Sequence, residues 1–252
     1  MRVGSYCRVL SAAAILAVCG TSGRVAAEDN VWYLTDKLTP TLEWSTGLQG
    51  SPGLWSAYTG LTFAPGSLLE QTGWRFRMTS GRTAFWYETD LPWRNAKVSV
   101  RGVTSYVELL GGYQWRQGPV TARLLTGLTR SGFDTSIFDP DADTATGRLG
   151  GKIALEIWAN IGRKSYGQLD LSVASTGTRA ALQGRVGHEI APRLWIGPEV
   201  RAARYEGLVG ERGIGLFLRS VARDGELTVS GGWSASETRE GFYGALNFTF
   251  RN

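Results

Sequence analysis

Cysteine is almost absent from this chain of 252 residues, since the only two, Cys7 and Cys19, lie near the N-terminus. Histidine occurs once, at His188. Beyond the N-terminal region there is no run of about 18 apolar residues, which excludes a transmembrane helix there. Apolar residues also do not recur convincingly at spacings of three and four, so little helix is predicted. Disulfides, thiol chemistry and helical membrane spans are therefore excluded for most of the chain.

The N-terminus has the pattern of a secretory signal peptide. A basic start without acidic residues is followed by the apolar run from Val9 to Cys19, and small residues up to Ala27 precede Glu28. We therefore expect residues 1–27 to be removed by cleavage between Ala27 and Glu28. A lipoprotein signal that ends at Cys19 is the alternative, which Val18 disfavours because a small residue belongs at that position.

Loss of the leader removes much of the positive charge. The chain has 27 Lys and Arg residues against 22 Asp and Glu, and Arg2, Arg8 and Arg24 lie within the leader, which has no acid. The near balance that remains gives no support for a nucleic-acid partner. We expect residues 28–40 to form a short periplasmic N-terminal segment and residues 41–252 to form a β domain.

Alternation of apolar and polar residues dominates the chain from Leu42 onward. It predicts twelve strands: Leu42–Gln49, Leu54–Ala64, Trp74–Thr83, Val103–Arg116, Val120–Arg130, Gly151–Ile161, Tyr166–Ser175, Arg179–His188, Leu194–Tyr205, Ile214–Val221, Glu226–Ala235 and Phe242–Phe250. Most run near the ten residues that a tilted strand needs to cross a bilayer. In one of them Ile153 and Leu155 share a parity, while Glu156 and Trp158 share the other.

The same alternation suits a secreted β-sandwich or a membrane barrel, and three features favour the barrel. Aromatic residues collect at strand ends, as membrane interfaces require: Trp44, Trp55, Phe63, Trp74, Tyr113, Trp115, Phe242 and Phe250. Charges of both signs lie mid-strand on the polar parity. The two longest links, residues 84–102 and 131–148, fall on the predicted extracellular side. We predict an all-β fold, a transmembrane antiparallel up-and-down β-barrel of about 12 strands in the outer membrane of a Gram-negative cell.

Several stretches resemble the BcsS-type cellulose biosynthesis proteins of Gram-negative bacteria. They are "GLWSAYTGLTFAPGSLLEQTGWRFRM", "LLGGYQW", "FDPDADTATGRLGGKIALEIW", "YGQLDLSVAST", "GPEVRAARYEGLVGERGIGLFLR" and "GELTVSGGWSASETREGFYGALNF". Their shared features are glycines, aromatics and turns rather than a catalytic signature. The resemblance implies a small outer-membrane barrel associated with making or exporting cellulose, without a defined reaction.

The residues offer little material for catalysis or for a metal. A Ser-His-acid site would depend on His188, which we expect to be structural at a periplasmic turn. Asp139, Asp141 and Asp143 alternate as in a calcium loop, but Thr144 and Gly150 occupy the positions of the required glycine and glutamate. We therefore expect no enzyme activity, no metal and no cofactor.

The polar parity supplies candidates for the barrel lumen and for contact with a saccharide. They are Arg75, Arg77, Glu108, Arg116, Arg123, Glu156, Trp158, Asp170, Arg185, Trp195, Glu199, Arg201 and Tyr243. Two interpretations remain. The charges pair and plug the lumen, or they line a polar conduit in which a sugar stacks on Trp158, Trp195 or Tyr243. The plug is favoured in mid-barrel because twelve strands enclose much less space than the 16–18 strands of porins.

Three functions stay open for such a protein. It could accompany cellulose export without catalysis, anchor partners through its loops as a plugged barrel, or act as a porin for polar solutes or oligosaccharides. The expected partners are outer-membrane lipid and either a glucan chain or components of the cellulose synthase complex.

Overall fold

A closed antiparallel barrel of twelve strands makes up the described part of the chain. The computed structural model describes residues 41–90, 97–135, 147–205, 210–236 and 239–252. The strands are β1 (Leu42–Ser51), β2 (Leu54–Phe63), β3 (Gly73–Asp90), β4 (Lys97–Gln117), β5 (Val120–Thr135), β6 (Arg148–Ile161), β7 (Ser165–Ala174), β8 (Thr178–Ala191), β9 (Leu194–Tyr205), β10 (Glu211–Val221), β11 (Gly225–Ala235) and β12 (Glu240–Arg251). Each pairs with its neighbours in sequence, and β1 pairs with β12. The predicted fold class is confirmed.

The predicted leader lies outside the described residues. This holds for the cleavage site between Ala27 and Glu28 and for segment 28–40, which stay predictions. Within the described ranges, no helix has the length and hydropathy needed to cross a membrane.

Closure of the barrel explains why the chain ends in an aromatic-rich strand. Strand β12 lies between β11 and β1, with Trp44 of β1 opposite Phe250. The Trp44 ring also meets Phe248 edge-on, with centroids 6.3 Å apart. These aromatic residues share the outward parity, so the last strand removes the two free edges and continues the apolar outer surface.

The outward parity is apolar around the barrel. Large hydrophobic side chains remain exposed there, for example Phe242 at 80 % and Leu149 at 68 %. Leu155 and Leu171 are direct partners across β6 and β7 on this face. A surface of this kind is stable in lipid, which replaces the packing that a soluble sheet would need.

Strands β3 and β4 extend well beyond their predicted ends. The link predicted at residues 84–102 is mostly strand, because β3 continues to Asp90 and β4 begins at Lys97. Trp86 and Arg101 are paired in this extension, with the guanidinium 5.7 Å from the ring centroid. The link predicted at residues 131–148 is likewise shortened by β5 and β6. The prediction of two long loops was therefore wrong in extent, since backbone pairing continues past the apolar band.

The two ends of the barrel differ. The end that carries Thr41 and Asn252, here called the terminal end, has short turns apart from residues 64–72 between β2 and β3. The other end, here called the distal end, carries the links 91–96 and 136–147. In outer-membrane barrels short turns are periplasmic and longer loops extracellular, so the distal end is the one expected to face outward.

A charge placed in the middle of the outer surface tests this assignment. Leu155→Arg and Leu171→Arg should each lower the free energy of unfolding in lipid by about 2–4 kcal/mol, the cost of arginine near the bilayer midplane. Leu155→Met, which conserves volume, serves as the control. Reversible urea unfolding in vesicles measures the difference, and a loss in the arginine variants no larger than that of Leu155→Met would contradict the outward assignment.

Candidate functional site

Ion pairs join strands across the lumen. Glu156 of β6 accepts hydrogen bonds from Arg77 of β3 on both carboxylate oxygens, and from Arg123 of β5 at 3.1 Å. Lys152 of β6 donates to Glu108 of β4 at 2.7 Å. Because β3 and β6 are three strands apart in the sheet order, these contacts pass over the inner surface rather than along one strand pair. The mid-barrel is thus crossed by charged side chains that satisfy one another.

The turn at residues 64–72 folds inward over the terminal mouth and is fastened there. Arg75, fully buried, donates hydrogen bonds to the carbonyl oxygens of Leu68 and Leu69 at 2.8 and 3.1 Å, and to Ser67 Oγ at 2.9 Å. Gln114 Nε2 donates to the Leu69 carbonyl at 2.8 Å. Buried carbonyl groups need such donors. We call this arrangement the turn clasp.

The clasp is linked to the charges of the mid-barrel. Arg123 donates to Gln114 Oε1 at 2.8 Å as well as to Glu156. Arg116 Nη1 donates to the Glu70 carbonyl at 3.2 Å. Burial raises the pKa of the Glu70 carboxyl, while the nearby charges of Arg251 and Arg116 act in the opposite direction. The turn and the mid-barrel therefore form one connected polar network.

Aromatic rings fill the side of the lumen formed by β6, β7, β9 and β10. The Arg219 guanidinium lies 4.6 Å from the Trp158 ring centroid, 5.1 Å from that of Tyr166 and 5.5 Å from that of Trp195. Arg219 also pairs with Glu226 at 2.6 Å. Trp158 and Tyr166 stack with centroids 4.0 Å apart. A desolvated cation held by three rings and a carboxylate is a stable filling.

A second cluster surrounds Glu199, which is almost fully buried. Arg185 forms an ion pair with it, Gln183 donates to it at 3.0 Å and the Tyr243 hydroxyl donates to it at 3.1 Å. The Arg201 guanidinium covers the Tyr243 ring at 4.6 Å. Tyr243 belongs to β12 and Glu199 to β9, so this cluster also bridges strands that are not neighbours.

A narrow cavity of ≈ 650 Å³ remains beside these clusters. Its lining reaches Glu70 and Arg223 at the terminal end, and Gln49 and Tyr205 near the distal end. At about 30 Å³ for each water molecule, it has room for roughly twenty. Because this volume is shared between the two ends of the barrel, the free space at any one level of the lumen is small.

The structure places all the predicted lumen residues on the inner face. Those that line the cavity are Arg77, Glu108, Arg116, Arg123, Glu156, Trp158, Asp170 and Arg201, whereas Arg75, Arg185, Trp195, Glu199 and Tyr243 lie outside its lining. Asp170 accepts a hydrogen bond from Gln168 at 2.6 Å. Contact with a saccharide stays a prediction, but Trp195 and Tyr243 are only 6 % and 4 % exposed, each with a guanidinium over the ring.

Sequence reasoning missed the turn clasp and two of the buried rings. Tyr166 and Phe217 are each 2 % exposed in the lumen cluster with Trp195. Their parity was the available signal, because Tyr166 shares the inward parity of Gln168, and Phe217 that of Arg219. The available signal for the turn clasp was the length of the 64–72 link, which exceeds that of the other turns at the terminal end of the barrel.

His188 lies near the terminal end, as predicted. Its Nδ1 is 2.9 Å from Ser165 Oγ at an exposed strand pair. Among the residues described, no carboxylate forms an ion pair with this imidazole, and no group of histidine and acidic residues has the arrangement of a metal site. Asp139, Asp141 and Asp143 lie outside the described residues.

Comparison with known proteins identifies a family. The family model described as "Cellulose biosynthesis protein BcsS" matches residues 48–252. No curated protein matches the chain. Among solved structures, the TodX deltaS2S3 mutant monoaromatic hydrocarbon channel is similar with a TM-score of 0.53 and 8 % identity, covering 92 % of this chain and 95 % of the other.

Two further barrels show weaker likeness. The KdgM porin in complex with disordered oligogalacturonate has a TM-score of 0.46 at 10 % identity, covering 82 % of this chain and 98 % of the porin. The translocator domain of autotransporter NalP from Neisseria meningitidis has a TM-score of 0.44 at 11 % identity, covering 86 % and 90 %. At such identities the likeness concerns the fold alone.

Proposed function

The chain belongs to the cellulose biosynthesis protein BcsS family, and we propose that it acts in the outer membrane as a closed barrel that anchors or organises cellulose production. In this proposal the protein carries out no reaction and the glucan does not pass through its lumen. An exported protein of this kind needs a leader, which supports cleavage of residues 1–27. The lipid of the membrane and components of the synthase complex are its expected partners.

The observation that carries the proposal is the connected network from the turn clasp to the mid-barrel. Arg75 and Gln114 hold the turn over one mouth, and Arg123, Glu156 and Arg77 continue from there across the lumen. A glucan chain would have to break these contacts and strand several buried charges, each of which is costly without its partner. We propose the links at the distal end, residues 91–96 and 136–147, as the segments that meet partners.

A conduit for polar solutes is the second candidate, and the cavity supports it. The cavity of ≈ 650 Å³ extends towards both ends and is lined largely by polar side chains. That volume is within the range of about 300–1,000 Å³ found for small-ligand sites. An experiment on the anchoring function must therefore distinguish it from passage of water or small oligosaccharides.

A substitution that obstructs the cavity distinguishes the anchoring function from the conduit function. In a strain that lacks the gene, extracellular cellulose should be reduced or disorganised while synthase activity in inner-membrane vesicles persists. Under the anchoring proposal, Thr79→Trp, which places a ring in the cavity, should restore cellulose as well as the wild type does. A variant shortened within residues 136–147 should not restore cellulose, although it is present in the same amount as the wild type.

The matched control is Ser80→Trp, since Ser80 has the outward parity next to Thr79, which lines the cavity. Loss of cellulose with Thr79→Trp but not with Ser80→Trp would instead support the conduit. Normal cellulose in the deletion strain would reject both functions.

A further inference from the structure

Arginine is distributed unevenly over the lipid-facing side of the barrel. The arginines at outward-facing strand positions with described side chains are Arg82, Arg101, Arg130, Arg204 and Arg212, and all lie towards the distal end. Each is exposed. An arginine on this face must lie close to a headgroup, because its charge is poorly tolerated in the hydrocarbon.

These arginines follow apolar outward rows in the direction of the distal end. On β3, Trp74, Phe76 and Met78 are exposed by 59 %, 51 % and 52 % before Arg82 is reached on the same parity. On β10, Arg212 precedes Ile214, which is 64 % exposed. The rows mark the hydrocarbon, so the arginines lie at its distal boundary. This boundary belongs to the outer leaflet if the distal end faces outward.

Arg204 and Arg212 form a pair. Arg212 is directly opposite Ala202, and Arg204 is two residues further along β9 on the same face. Diagonal neighbours of this kind are about 7–8 Å apart in an antiparallel sheet. This is a spacing between backbone positions, and two long arginine side chains carried at it can both reach one phosphate, to which each presents a fork of donors.

An apolar depression adjoins the pair. It has a volume of ≈ 640 Å³, and its lining includes Leu171, Leu182 and Ala202 together with Arg204 and Arg212. Leu182 and Ala202 are directly paired outward-facing residues of β8 and β9. The depression therefore has an apolar wall on the side of the hydrocarbon and two positive charges on the side of the distal boundary. This is the order in which the acyl chains and headgroup of a lipid lie in the membrane.

We propose that Arg204, Arg212 and this depression bind a phosphorylated, acylated lipid of the outer leaflet. The phosphate lies between the two guanidinium groups, and an acyl chain packs in the depression against Leu171 and Leu182. Neutral lipid satisfies the apolar part alone and inorganic phosphate the charged part alone. The site is thus selective for the combination that lipid A carries, and it is independent of the role of the lumen.

Native mass spectrometry of the folded, detergent-solubilised barrel tests the site with lipid A as the probe. The wild type should retain one lipid A molecule per chain at concentrations where the Arg204→Gln/Arg212→Gln variant retains at least about tenfold less, because this variant lacks both guanidinium groups that would hold the phosphate. The control Arg163→Gln/Arg223→Gln removes two exposed arginines from terminal-end turns and should bind as the wild type does. Heat-dependent gel mobility shows that each variant is folded.

Two competitors complete the test. The same acylated disaccharide without its phosphates should bind about tenfold more weakly than lipid A to the wild type, and equally to both variants. Inorganic phosphate should not displace lipid A at millimolar concentrations. Equal retention of lipid A by the Arg204→Gln/Arg212→Gln variant, equal binding of the dephosphorylated lipid, or full displacement by phosphate would each overturn the proposal.

Discussion

Arg75→Ala combined with Gln114→Ala should turn a nearly silent barrel into one that conducts ions steadily in planar bilayers. The two side chains donate the hydrogen bonds that hold the 64–72 turn over the terminal mouth. Bonds from a charged donor contribute roughly 1.5–3 kcal/mol each, so a loss of about 3 kcal/mol would raise the population with a released turn roughly a hundredfold. Single-channel recording measures the frequency and size of the openings.

Two further variants sharpen this result. Arg75→Lys keeps the charge but presents one ammonium in place of the planar fork, so an intermediate conductance is expected. Arg163→Ala removes an exposed arginine from another terminal-end turn and should leave the barrel silent. If the wild type already conducts as steadily as the Arg75→Ala/Gln114→Ala variant, the turn does not close the mouth and the conduit gains support.

Glu156→Gln should be among the most destabilising single substitutions in the lumen. It removes the one carboxylate that both Arg77 and Arg123 contact. Removal of one partner from a buried ion pair costs about 3–5 kcal/mol. Because the Glu156 side chain is 26 % exposed, water screens part of the loss, and about 2–4 kcal/mol is expected. Urea unfolding of the barrel in vesicles gives the value.

A second substitution tests whether stranded charge is the cause. Arg77→Gln placed together with Glu156→Gln removes one of the two uncompensated cations and should recover part of the stability. Glu240→Gln, at an exposed position near the distal end, is the matched control and should be nearly neutral. A loss in Glu156→Gln no greater than in this control would show that the lumen is wet enough to solvate the arginines.

The number of strands and the side of the sheet on which each residue lies were predictable from the sequence, because they depend on local patterns. The alternation of Ile153, Leu155 and Ile157 with Glu156 and Trp158 is visible in one strand and requires no knowledge of its neighbours. Export rests on the N-terminal leader pattern, which stays a prediction. Strand ends were less predictable, because the backbone pairing of β3 and β4 continues beyond the stretch in which apolar and polar residues alternate regularly.

The contents of the lumen were decided by the tertiary structure. Glu156 meets Arg77 from β3 although its own ladder partners are Arg123 on β5 and Asp170 on β7. Which residues meet across a barrel depends on the sum of the registers between all the strands that separate them and on strand tilt, and neither is encoded in a single segment. Alternation therefore determined the face on which each residue lies. Closure of the barrel decided that Glu156 pairs with Arg77 and that Arg219 lies among three rings.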